Sequence, residues 1–90
     1  MNGIKDLYYE LGKVYEVEWN NDDSYSFNLY FKCKHSHEYK LYISEDIVCV
    51  LRKIKFFRWS YWDNVTHIHC DDGTIDDVLD GVQYFLDRYQ

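Results

Sequence analysis

TIDDVLDGVQYFLDRY, residues 74–89, is the most cleanly periodic run in the chain. Wound at about 100° per residue, it gathers Ile75, Val78, Leu79, Val82, Phe85, Leu86 and Tyr89 into an arc of roughly 120°, which predicts a helix laid on a core. Thr74 stands where an N-cap hydroxyl is needed, and Asp76 and Asp77 fall in the first turn, where the helix dipole favours carboxylates. The outward face carries Asp77, Asp80, Tyr84 and Asp87, with Asp76 on its flank. Stability does not choose such a face. Asp76 and Asp80 are like charges four apart, costing about 0.2–0.5 kcal/mol, and Asp87 lies near the end that disfavours acids. The plain alternative is a solvated face with an incidental tyrosine; the functional one is an aromatic anchor among carboxylates on a rigid support, as interfaces prefer.

Upstream of this helix the period changes. Asn2 to Gly12 reads as a short helix with Ile4, Leu7, Tyr8 and Leu11 on one face and Gly12 placed to end it. From Lys13 to Trp19 the alternation is twofold, Tyr15, Val17 and Trp19 against Val14, Glu16 and Glu18, which predicts a half-exposed strand. Asn20-Asn21-Asp22-Asp23 is a turn. Ser24 to Cys33 is the clearest strand, with Tyr25, Phe27, Leu29 and Phe31 facing one way. Tyr39, Leu41 and Ile43 mark a third, and the short connections imply an antiparallel meander. Ser44-Glu45-Asp46 resembles a helix cap, and Ile47, Val50, Leu51 and Ile54 follow at helical spacing. A strand would suit Val48, Val50, Ile54 and Phe56 as well, but acids first and Arg52, Lys53 and Lys55 last favour a helix over 47–55. FFRWSYW, residues 56–62, predicts a strand that turns at Asp63-Asn64 into a last one, Val65 to Cys70. The expected architecture is therefore α+β: one domain over residues 1–90, an antiparallel sheet of three to five strands, and terminal helices on one face.

Composition narrows the function. Apolar residues make up 47% and aromatics 20%, far from the disordered regime. Eighteen rings exceed what so small an interior holds, so some belong to the surface. No run is long enough to span a membrane, and no basic-then-apolar leader opens the chain, which predicts a cytoplasmic protein. Three cysteines, Cys33, Cys49 and Cys70, without a C-x-x-C spacing fit reduced thiols. The net charge of −6 is unevenly spread: residues 1–31 hold six acids and two bases, residues 32–58 three and seven, residues 59–90 seven and one. Acidic ends oppose phosphate binding and fit a basic partner met by electrostatic steering.

Two clusters have metal-ligand chemistry, Cys33, His35 and His37 before the third strand and His67, His69 and Cys70 before the last helix. Zinc accepts this mixture, but C-x-H-x-H is no structural-zinc spacing, and strand-end polar residues are the simpler account, so no cofactor is expected. His67 and His69 beside Asp71 and Asp72, with Cys70 or Cys33 as nucleophile, resemble sets that any polar loop produces. With no Gly-rich phosphate loop, G-x-S-x-G or H-E-x-x-H, the chain is not read as an enzyme. FFRWSYW mixes rings with Arg58, as single-stranded nucleic acid binders do, yet the acidic flanks disfavour that ligand. Alternation puts Phe57, Trp59 and Tyr61 on one face of it and Phe56, Arg58 and Ser60 on the other, one face for the core and one for a partner.

Size, acidity and aromatic content together make the chain resemble the small immunity proteins that neutralise bacterial toxins, including colicin-type and contact-dependent-inhibition nucleases. The likeness covers the whole chain and rests on no motif, so it transfers no residues. It implies a protein-binding inhibitor that covers the active site, or an adjoining exosite, of a basic toxin nuclease. The residues that physics selects for such contact are Asp77, Asp80, Tyr84 and Asp87, with Glu16, Glu18, Asp22 and Asp23 as a second acidic candidate. The alternatives are a phage-encoded inhibitor of a host defence nuclease, a metal-dependent module on the Cys/His clusters, and a regulator using the basic 52–58 stretch on nucleic acid. Oligomeric state is left open by the sequence.

Overall fold

A computed structural model describes residues 3–21, 25–70 and 74–90. Five strands, β1 (Glu16–Trp19), β2 (Ser26–Lys32), β3 (Glu38–Ser44), β4 (Ile47–Phe56) and β5 (Trp59–His69), lie in sequence order in one sheet, every neighbouring pair antiparallel. Helices α1 (Ile4–Leu11) and α2 (Ile75–Tyr89) cover one face of it. The expected α+β domain with terminal helices on one side of an antiparallel sheet is what the chain forms. Among the described residues no helix is long and apolar enough to cross a membrane.

The core follows from the twofold alternation of the strands. Phe27, Leu29 and Phe31 of β2, Leu41 and Ile43 of β3, and Val48 and Val50 of β4 point to the helix side and are buried. Ile4 and Leu7 of α1 and Val78, Val82, Phe85 and Leu86 of α2 close over them, the arc foreseen for residues 74–89. Each such side chain contributes about 1.5–3 kcal/mol on leaving water. Rings complete the layer: Tyr8 meets Trp19 and Phe27 edge-on at 5.4 and 5.3 Å, and Phe31 stacks on Tyr39 at 5.5 Å. The α2 start is capped as expected, Thr74 Oγ1 accepting from the Asp77 N–H at 3.2 Å. Gly12 does end α1, but at φ −65° in ordinary helical geometry. Its lack of a side chain serves closeness instead, because a Cβ there would lie 3.0 Å from Val17 Cγ2.

Residues 47–55 are not a helix. They are the middle strand of the β3–β4–β5 half of the sheet, with Val48 and Val50 buried at a spacing of two. The cap-like signal is real but local: Ser44 Oγ accepts from the Ile47 N–H at 3.2 Å, the bond an N-cap makes, and the chain then extends. Ladders on both sides and the β-branched Ile47, Val48 and Val50 outweigh the charge gradient. Nor does the chain turn at Asp63-Asn64. Phe56 pairs with Trp59, so Phe57-Arg58 is the loop of the hairpin. Asp63 and Asn64 stay inside β5, and Val65 is an extra residue in its ladder, since Val50 pairs with Thr66 and Leu51 with Asn64. Tyr25, expected inward with Phe27, is 70% exposed just before β2 begins.

Candidate protein interface

Beyond Val50 the β4–β5 ribbon runs on past the buried core. Its turn has two residues, Phe57 at φ 54° and Arg58, the place where glycine is the usual first residue of a hairpin loop with one left-handed position. Phe57 is nonetheless 93% exposed. Pairing puts Phe56 opposite Trp59 and Ile54 opposite Tyr61, so Phe56, Trp59 and Tyr61 share the helix side of the ribbon. Alternation alone separates Phe56 from Trp59; the intervening turn reunites them. None of the four rings belongs to the core, each being more than half exposed.

The opposite side of the ribbon belongs to the open face of the sheet. There the Trp62 ring reaches Tyr30 at 6.0 Å, and Lys40 and Lys53 lie over it at 4.7 and 5.9 Å. Glu38 bridges Lys53 at 3.7 Å and Lys55 at 3.4 Å, and the Lys55 contact holds its carboxyl below the usual range. Burial, helped by a hydrogen bond to Glu18 at 3.2 Å, pushes the Tyr30 phenol up, while burial pulls the Lys40 ammonium down against the attraction of Glu18. Asn20, with Nδ2 donating to Ser26 Oγ at 2.9 Å and Oδ1 accepting from Asn28 at 3.1 Å, satisfies the buried polar groups of β2. This cation–π and ion-pair layer dresses a sheet face that no helix covers.

The acidic candidates divide between faces. On α2, Asp76, Asp80 and Asp87 stand exposed along the crest, whereas Asp77 is half-buried and Tyr84 is 53% exposed. At helical spacing Asp77, Tyr84 and Arg88 form the flank next to β5, beside Gly81, whose nearest neighbours include Ile68. A groove of about 400 Å³ runs there, lined by Val65, Thr66 and Ile68 of β5 and by Tyr84, Phe85 and Arg88 of α2. A side-chain hydrogen bond with Tyr89 raises the pKa of Arg88, so this flank keeps one fixed cation. Glu16 and Glu18 lie on the open face, opposite Tyr30 and Asn28 of β2. Asp22 and Asp23 fall outside the described residues.

The two Cys/His clusters lie at opposite ends of the sheet. Cys33, His35 and His37 form the β2–β3 turn, closed by the Ser36 N–H on the Cys33 carbonyl with Ser36 at φ 64°. His67 and His69 sit beside Cys49 and Ile47, about 17 to 23 Å away along β3 at a strand rise of ~3.3 Å per residue. Their rings touch at 4.9 Å, but Cys70 turns into the core and is 3% exposed. Among the described residues no three His, Cys, Asp or Glu side chains come together as a cation site. Asp71 and Asp72, paired with these histidines as a candidate acid and base, lie outside the described residues.

Sequence reasoning missed Phe57 as an apex and Val65 as a groove residue. The ring count did point to a surplus of surface aromatics, and Phe57-Arg58 lacks the Asn-Gly or Asp-Gly that marks most hairpin loops, so no turn was visible there. No protein-family model, curated protein or solved structure matches the chain.

Proposed function

We propose that the protein acts by binding another protein and neutralising it, in the manner of an immunity protein bound to a basic toxin nuclease. The observation that carries protein binding is Phe57: a ring 93% exposed, at the tip of a ribbon, on a left-handed backbone. A non-glycine residue there costs on the order of 1 kcal/mol, and within the chain its ring meets Phe56 edge-on at 4.5 Å while staying almost wholly exposed, so stability accounts for it poorly. A pocket in a partner does, because a desolvated aromatic anchor is what dominates binding energy. The partner's sign comes from the α2 crest, where Asp76, Asp80 and Asp87 present carboxylates on a helix fixed by its own core.

Growth rescue tests this reading. The C-terminal region of the neighbouring reading frame is expressed alone and then with this protein. Growth arrest relieved by the wild type, lost with Phe57→Gly and weakened by Asp80→Lys with Asp87→Lys, is the expected pattern. A neighbour without toxicity removes the immunity reading; rescue that survives all three substitutions removes the surface assigned to it.

A further inference from the structure

We propose that β5 is the seam of a symmetric homodimer. It is the last strand of the sheet, so one row of its backbone N–H and C=O groups faces away from β4 with no further strand beside it among the described residues. Folded proteins guard such edges with lysine, proline, shortness or a bulge. β5 is eleven residues long, has no lysine or proline, and carries one acid, Asp63, and one bulge, at Val65. On the helix side this edge adjoins the groove floored by Val65, Thr66 and Ile68 and walled by Tyr84 and Phe85. An open edge beside a groove walled by rings and closed by Arg88 is an acceptor for an added strand, the strand supplying backbone pairing and its side chains filling the groove.

The strand that fits is a second β5. Antiparallel pairing about a point between Asp63 and Asn64 sets Trp59–Tyr61 of one copy alongside Thr66–Ile68 of the other. Trp59 and Tyr61 already face the helix side, 76% and 57% exposed, so they enter the groove of the neighbour, and the twofold axis repeats the contact. The charges agree. The same pairing brings the cationic hairpin turn at Arg58 level with the first turn of the other helix, beside Asp77 of the partner subunit on the flank that overlooks the groove. Phe57 lies outside the paired strand and the α2 crest faces away from the seam, so the dimer and the function proposed above are tested by different substitutions, Tyr61→Lys and Phe57→Gly.

Sedimentation velocity on the full chain tests it, from about 5 to about 200 µM, since a dimer answers to mass action. The expected result is a reversible dimer that Tyr61→Lys weakens at least about tenfold, with the circular dichroism of the fold unchanged. Arg58→Glu and Asp77→Arg are each expected to weaken it, and the two together to restore most of the loss, which only residues that meet can do. A monomer at the highest concentration overturns the proposal. So does a dimer indifferent to Tyr61→Lys, whose seam lies elsewhere.

Discussion

From Ser26 to Val50 the helix side of the sheet is sealed under α1 and α2, whereas beyond Val50 the same side of the β4–β5 ribbon lies bare. Both regions alternate aromatic and aliphatic residues with period two. The difference is one of reach. Fifteen helical residues extend about 22 Å at ~1.5 Å each, while the ten residues of β4 extend about 33 Å at ~3.3 Å each. The helix runs out before the strand does, so Trp59 becomes surface for a reason that lies in α2 rather than in its own strand, while Phe27 becomes core beneath Tyr8 of α1. Burial of a side chain is thus a property of what lies across from it.

Truncating the covered region gives the largest effect. Phe27→Ala, at a fully buried ring in contact with Tyr8 and Trp19, is expected to cost about 3–5 kcal/mol in urea unfolding. A cost below about 1 kcal/mol would break the distinction between the two regions. Next comes Gly81→Ala in α2, where a Cβ would meet Val48 and Ile68 at ordinary contact distances of 3.5 to 3.9 Å. With room available, the gain in helix propensity is expected to raise stability by about 0.5–1 kcal/mol. Loss of stability would show that the helix rides closer to β4 than it does here.

In the bare region the sign reverses. Phe57→Gly removes a left-handed phenylalanine and a ring that buries almost nothing, so stability is expected to hold or to rise by up to about 1 kcal/mol. A loss above about 1 kcal/mol would mean that the edge-on contact with Phe56, at 4.5 Å, outweighs the backbone strain. The smallest effect concerns the open face. The Glu38 carboxyl is lowered chiefly by its hydrogen bond with Lys55, with further help from Lys53. A lowered acid adds stability above its unfolded value, near pH 4.3, and that contribution is lost as pH falls through the folded value. Carbon-detected titration is expected to place Glu38 below an ordinary glutamate, and Lys55→Met to move it back up. On so exposed a carboxylate the stability change itself is slight.

The fold was legible wherever a segment's period agreed with its surroundings. The apolar arc from Ile75 to Tyr89 and the alternation from Phe27 to Phe31 each point to a single partner layer, and both are found as expected. Residues 47–55 misled because Ser44 makes a true cap-type bond to the Ile47 N–H, and one bond cannot tell a helix start from a turn into a strand. Asp63-Asn64 misled because polar turn residues also suit a bulge on an edge strand, where water takes the place of a partner. For the candidate interface, Asp80, Tyr84 and Asp87 are exposed as the helical wheel implies, while Asp77 is half sunk beside β5. Phe57 was hidden for a physical reason: its exposure depends on the pairing of Phe56 with Trp59, a choice of register that local composition does not encode.

The three thiols sit at graded depths in one sheet: Cys33 at the rim of a turn, Cys49 half-covered on the open face, and Cys70 in the core behind the backbone bond it makes to Asp46. Burial also pushes the Cys49 thiol up, which slows its conversion to the reactive thiolate. A thiol-specific reagent therefore meets a built-in clock. Cys33 reports motion of the β2–β3 turn, Cys49 the breathing of the open face, and Cys70 only openings that uncover the core, so a single unsubstituted chain times three separate openings.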